Sequence, residues 1–227
     1  MKQTNIISVG SRTRARSPEN KARRREAILI ASEHHLRLTG VEGFALGPIA
    51  NELDIAKGTI YLYFETRETL LLALIERKIQ RWFEALMARI PEIGSDSEWA
   101  AAVYETAHVD PDLLQLLLRQ DLIIEHNISL TRCVEYKRLW RAWLESLAEA
   151  VETPLDFTPA QALEAVKVTG PVLFGFCHAE QGPDLSDPDT PHDIREFFSP
   201  LSAKAGFIKN LERILRLIRT DKPQTSG

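Results

Sequence analysis

Ile49-Ala50-Asn51-Glu52-Leu53-Asp54-Ile55-Ala56-Lys57-Gly58-Thr59-Ile60-Tyr61-Leu62-Tyr63-Phe64, followed by Arg67-Glu68-Thr69-Leu70-Leu71, is the stretch on which the fold turns. Its apolar spacing predicts a short helix over about Leu46 to Leu53, a tight connection at Asp54 to Ala56, and a second helix over about Lys57 to Phe64. Two short crossed helices joined in this way make a helix-turn-helix. On the second helix Ile60 and Phe64 stand four apart and face inward. Lys57 with Tyr61, and Thr59 with Tyr63, form adjacent outward columns. Upstream, a helix over about Arg23 to Thr39 sets Ile28, Ala31, His35 and Leu38 along one face, and Gly40 suits a left-handed C-cap. Downstream, a long helix runs from about Arg67 through Leu70, Leu74, Ile75 and Trp82 to about Ile90, ahead of Pro91.

The same stretch resembles the DNA-binding domain of the TetR/AcrR family of repressors, over roughly residues 22 to 82, about a quarter of the chain. The resemblance implies operator binding, with Tyr61, Tyr63 and Arg67 at positions that grip the DNA backbone. Arg67 stands where the family usually has lysine, which keeps the charge and changes the contact geometry. The residue chemistry points the same way. Lys57 and the tyrosine hydroxyls suit phosphates or base edges, Thr59 suits a base or a thymine methyl, and Gly58 lets a backbone approach closely. Two departures stand out: Ala45 and Ala56 occupy the helix-start positions where a hydroxyl cap is usual, and Gly47-Pro48 replaces the usual polar pair.

Beyond the Gly94-Ser95-Asp96-Ser97 break the pattern stays helical, over about 97–107, 111–127, 129–151, 159–181 and 200–219. Asp110-Pro111, Thr158-Pro159 and Ser199-Pro200 each put a capping side chain before a proline at the first helical position. Gly170-Pro171 predicts a kink dividing a pocket-side from an interface-side segment, and residues 181–198 read as the main long loop. The fold class is therefore all-α: an N-terminal three-helix helix-turn-helix domain joined by a long helix to a larger C-terminal helical bundle that dimerises. The expected divisions are a disordered basic arm over 1–21, a helix-turn-helix domain over 22–82 with the motif at about 45–64, and a ligand-binding and dimerisation domain over 83–227. Residues 1–25 carry eight Lys and Arg against Glu19 alone, and the arm is expected to add affinity for DNA rather than specificity.

In the C-terminal part Trp99, Tyr104, His108, Trp140, Trp143, Phe174, Cys177 and His178 suit an apolar, aromatic cavity, with Asp121 and Glu125 as polar anchors. Gln120 is a further polar group on an otherwise apolar helix and needs a partner. Val172, Leu201, Phe207, Leu211, Ile214, Leu215 and Ile218 suit a two-fold helical seam.

Composition bounds the rest. The net charge of −4 divides unevenly: residues 1–90 hold fifteen Lys and Arg against ten Asp and Glu, and residues 91–227 hold thirteen against twenty-two. A basic head on an acidic body fits polyanion binding confined to the head. No apolar run reaches the roughly 18 residues of a membrane span, and Cys133 and Cys177 are too few and too far apart for a disulfide framework or a CxxC zinc site. No spaced His, Asp, Glu or Cys constellation suggests a catalytic or metal site, and no cofactor is expected. The expectation is a cytoplasmic homodimer that binds double-stranded operator DNA and a small-molecule effector. The competing reading is a hydrophobic-ligand carrier or small enzyme with a vestigial helix-turn-helix.

Overall fold

The computed structural model describes residues 18–120, 125–179, 181, 185, 187–198 and 203–220. Among these residues ten α-helices and no strand are found. The chain divides into two compact units, residues 1–67 and 68–227, so the boundary falls at the start of the long helix rather than at residue 82.

The first unit is built from α1 (Pro18–Gly43), α2 (Leu46–Glu52) and α3 (Lys57–Tyr61). α1 begins at a proline, inside the segment expected to be arm. Its regular part ends at Gly40, whose φ of 67° and ψ of −177° form a glycine-favouring extended backbone rather than the left-handed cap expected. Ile28, Leu29, Ala31, Ser32 and Leu36 are its buried stripe. Leu38 is 71% exposed, which corrects the expected face: the stripe lies on the Ile28, Ala31 and Leu36 side.

Neither short helix has a side-chain cap, as Ala45 and Ala56 require. The Ala45 N–H donates to His35 Nε2 at 3.2 Å, and the His35 ring lies 5.7 Å from that of Phe44. Pro48, third in α2, gives up an N–H that has no intrahelical acceptor there. The turn into α3 is closed by Asp54 N–H to Asn51 O at 3.2 Å and Ile55 N–H to Ala50 O at 3.0 Å. Asp54 adopts φ 49°, a conformation costly for any residue with a Cβ and least so for Asp and Asn.

The second unit comprises α4 (Arg67–Arg89) from Glu68 onward, α5 (Asp96–Ala107), α6 (Pro111–Arg119), α7 (Leu130–Val151), α8 (Pro159–Ala179), α9 (His192–Phe198) and α10 (Ala203–Thr220). Short 3-10 turns follow α4 at Ile90–Glu92 and precede α7 at Glu125–Asn127. The helix expected over 111–127 is described as α6 to Arg119 and as a 3-10 turn from Glu125, residues 121–124 lying outside the described residues, and α9 occupies part of what reads as a long loop. The predicted starts hold at two sites. Asp110 accepts from Asp112 N at 3.1 Å, and Thr158 Oγ1 and Gln161 form a reciprocal capping box. Ser199-Pro200 lies outside the described residues.

The core gathers Trp99, Val103, Val151, Ala162, Leu173 and Phe207 from α5, α7, α8 and α10. The α5–α10 pair is tied at its ends by Arg219 to Asp96 at 2.6 Å and Lys204 to Glu105 at 2.7 Å. The Lys204 ammonium and Arg89 guanidinium hold the Glu105 carboxyl below its ordinary range. Its contribution to stability is therefore present above that range and lost as pH falls below it. Between α4 and α6, the Lys78 ammonium is buried against Asp110 Oδ2 at 2.7 Å and Asp112 Oδ2 at 3.3 Å.

Replacing Asp54 by glycine removes the Cβ from a left-handed turn residue. The variant is expected to gain about 1 kcal/mol, measured as a raised urea midpoint; an unchanged or lower midpoint contradicts a strained turn.

Candidate DNA-binding face and ligand cavity

The two candidate sites lie in different units. In the first, α3 buries Ile60 completely, and Phe64 just beyond it is 2% exposed, with the Arg25 guanidinium 4.9 Å from its ring centroid. This anchoring turns the opposite side outward. Lys57, Gly58 and Tyr61 are exposed, and Thr59 and Tyr63 are half-buried. Among the described residues the Lys57 ammonium and the Thr59, Tyr61 and Tyr63 hydroxyls have no hydrogen-bond partner within the chain. A Cβ built on Gly58 meets nothing within 4 Å. The fold itself leaves room for a side chain there. Leu62, 76% exposed beside Tyr61, is an apolar member of this face that sequence reasoning missed; its place on the side opposite Ile60 was the available signal.

Arg67 is engaged within the first unit. Its Nε donates to Phe44 O at 2.8 Å and its Nη2 to Val41 O at 2.6 Å, while the guanidinium lies over the Phe44 ring at 5.9 Å. The backbone between α1 and α2 takes up this fork. The planar, multi-donor head that distinguishes it from lysine here serves two carbonyls of the protein.

In the second unit a cavity of about 550 Å³ opens among α4 to α8. α4 contributes Ile79, Trp82, Phe83 and Leu86, and α5 contributes Trp99 and Val103. Leu117 and Gln120 line it from α6 and the residue after it, and Lys137, Trp140, Trp143, Leu144 and Leu147 from α7. From α8 come Val166, Lys167, Thr169, Gly170, Pro171 and Phe174. α8 runs unbroken through Pro171 and lines the cavity on both sides of it, which corrects the expected division into pocket and interface segments.

All four indole N–H groups are satisfied inside the chain. Trp82 donates to Thr106 Oγ1 at 3.0 Å, Trp99 to Thr169 Oγ1 at 3.4 Å and Trp143 to Gln80 Oε1 at 3.0 Å, while Trp140 donates to the Tyr136 hydroxyl. That hydroxyl donates in turn to Gln120 Oε1 at 2.6 Å, which supplies the partner Gln120 needs. The indoles therefore present carbon surface to the cavity.

Of the residues expected to line a cavity, Trp99, Trp140, Trp143 and Phe174 come together there. Tyr104, His108, Cys177 and His178 do not. Tyr104 and His108 stack on each other at 3.9 Å, next to Phe207; Cys177 is core, and His178 is exposed on the outside of α8. Asp121 and the side chain of Glu125 lie outside the described residues. Trp82, Phe83, Lys137, Lys167 and Thr169 were missed as lining residues. The missed aromatics sit at the C-terminal end of α4, which periodicity assigned to the connection between modules.

The expected dimer seam needs a similar correction. Phe207, Leu211 and Leu215 are 0% exposed and Ile218 is 7% exposed within a single chain, so the α10 stripe is spent on the protomer's own core. Val172 and Ile214 are half-buried and retain surface, and Leu201 lies outside the described residues.

Among the described residues no group of His, Cys, Asp and Glu is arranged to hold a metal ion, and no helix is long and apolar enough to cross a membrane.

Residues 28–74 match the family described as bacterial regulatory proteins, tetR family, and residues 76–181 match the tetracyclin repressor-like C-terminal domain. No curated protein sequence matches the chain. Among solved structures, the multidrug binding protein EbrR complexed with imidazole superposes with a TM-score of 0.54 at 18% identity, covering 89% of this chain and 98% of that one. The fatty acid degradation regulator FadR from Bacillus halodurans gives 0.52 at 14% identity, covering 88% and 95%. The transcriptional regulator FadR from Bacillus subtilis, in complex with stearoyl-CoA, gives 0.50 at 16% identity, covering 86% and 97%. These likenesses concern the fold, whereas the two family matches cover both units from α1 into the end of α8; together with the helix-turn-helix of the first unit and the helical bundle of the second, they make the chain a member of the TetR family of transcriptional regulators.

Proposed function

We propose that the chain is a homodimeric repressor whose α3 faces read a palindromic operator, and which is released by a small, largely hydrophobic effector bound in the cavity of the second unit. The observation that carries this reading is the presence, in one chain, of a face of unengaged polar groups on α3 and a separate cavity walled by indoles. Carriers need only the second. Known ligand complexes of proteins with this fold, imidazole in EbrR and stearoyl-CoA in the Bacillus subtilis FadR, support an effector role for such a cavity.

A two-fold dimer sets two recognition helices about 34 Å apart, matching half-sites in successive major grooves. The surface left for that contact is the outer side of α8 and α10. Val168, Val172 and Gly175 follow one another at helical spacing on α8, and Ile214 and Leu217 do so on α10; Leu217 is 68% exposed. The seam proposed here thus runs one face away from the buried Leu211 and Leu215.

Three outcomes follow for the full chain. In binding titrations against an operator selected from a random pool, Lys57→Ala and Tyr61→Ala weaken binding with helicity intact; loss of the Lys57 phosphate contact lowers the salt slope by about one. Gly58→Ala, which the fold accommodates, weakens binding by about tenfold if DNA approaches the backbone there. Unchanged affinity in all three variants rules out α3 as the reading element.

Leu217→Asp is expected to give a folded monomer in sedimentation velocity, with tight operator binding lost because two half-site contacts are no longer linked. A folded dimer of unchanged mass excludes this face.

A Cβ at Gly170 also meets nothing within 4 Å. Gly170→Leu fills cavity space and is expected to leave operator affinity unchanged while abolishing its response to bound effector, read in the same titrations.

A further inference from the structure

We propose that the effector is an amphipathic anion: one apolar chain or ring system ending in a single carboxylate, held at the cavity by Lys137 of α7 and Lys167 of α8. This deepens the reading of the cavity as the effector site and rests on it.

The interior has little to offer a polar ligand body. Its indole N–H groups are bonded within the chain. The Thr169 hydroxyl donates to Ala165 O at 2.7 Å and accepts from Trp99, and the Gln120 carbonyl accepts from Tyr136. What remains facing the cavity is mostly carbon, which selects an apolar body.

The charged groups on the lining are of one sign. Lys137 and Lys167 are both lining residues and both exposed, and among the described lining residues there is no Asp or Glu. Lys167 has neither an ion pair nor a hydrogen bond among the described residues, in a unit where Lys78 has two carboxylates and Lys204 has one. An ammonium beside an apolar wall, with its stem along that wall and its head at the water, is suited to a carboxylate whose tail enters the cavity. The four indole faces would by themselves also suit a lipophilic cation through cation–π attraction. The Lys167 ammonium, unpaired among the described residues, opposes that occupant on the same lining, so the anion is favoured.

The test uses three ten-carbon probes that differ only in the head: decanoate, decanol and decyltrimethylammonium. Each is titrated into the full-length protein below its aggregation concentration, at pH 8 and low salt, with tryptophan fluorescence as the readout. Decanoate is expected to bind at least tenfold more tightly than either of the others. Lys167→Gln and Lys137→Gln each reduce decanoate affinity at least fivefold and leave decanol affinity unchanged, and Lys167→Arg restores most of the loss. Gly170→Leu, which fills the cavity, removes binding of every probe that binds the wild type. Equal or tighter binding of decanol or of the cation, or indifference of decanoate to both lysines, overturns the anion while leaving the cavity as an effector site. Failure of all three probes to bind, or binding that survives Gly170→Leu, overturns the cavity reading itself.

Discussion

An indole N–H withdrawn from water without an acceptor is costly, and the second unit gathers four indoles around one space, Trp99 buried and Trp82, Trp140 and Trp143 half-buried. Each finds its acceptor on a neighbouring helix or one turn back on its own: Trp82 of α4 on Thr106 of α5, Trp99 of α5 on Thr169 of α8, Trp143 of α7 on Gln80 of α4, and Trp140 on Tyr136. These bonds fix ring orientation as well as satisfying donors. Rings held by their polar edges cannot swing inward to collapse the cavity, so space that a core would otherwise fill stays open. The positions of four acceptors thus help to keep the cavity open.

The Lys78 pair constrains the same unit differently. Its ammonium is almost fully withdrawn from water, and one of its two carboxylates, Asp110, also accepts from the first turn of α6. Removing a charged group from solvent is tolerable only while its partners stay in place. Sliding α6 along α4 would strand the lysine and unmake the cap together. Since α6 leads directly into Gln120 at the cavity, the ion pair fixes the position of one wall relative to α4.

The helix-turn-helix was legible in the sequence because it depends on local rules. Ile60 and Phe64 at a four-residue interval dictate which side of α3 is buried, and Gly40 marks the end of the regular part of α1 with a positive φ. Asp110 and Thr158 likewise marked helix starts. The cavity was only half legible, since an aromatic residue at helical spacing reads alike whether it faces a core, a void or another chain. Tyr104 and Cys177 proved to be packing, while Trp82 and Phe83 went unrecognised because α4 was read as a connector. The α10 stripe erred for the same reason. A hydrophobic seam states that something covers it, and Phe207, Leu211 and Leu215 are covered by their own chain. Arg67 shows a further limit: a guanidinium suited to phosphate is equally suited to two carbonyls, and only the geometry distinguishes them.

Charge tells its own story at two scales. The distribution that assigns DNA to the N-terminal part makes the C-terminal part strongly acidic, which by itself would favour a cationic ligand there. The described cavity lining has the opposite sign, with two lysines and no carboxylate. Surface charges more than a Debye length apart, roughly 8 Å at physiological salt, act almost independently. The sign of the unit as a whole and the sign of the cavity lining can therefore differ. On the function proposed above, net charge bears on which polyelectrolyte the molecule approaches, and the few side chains at the cavity bear on which small molecule it retains.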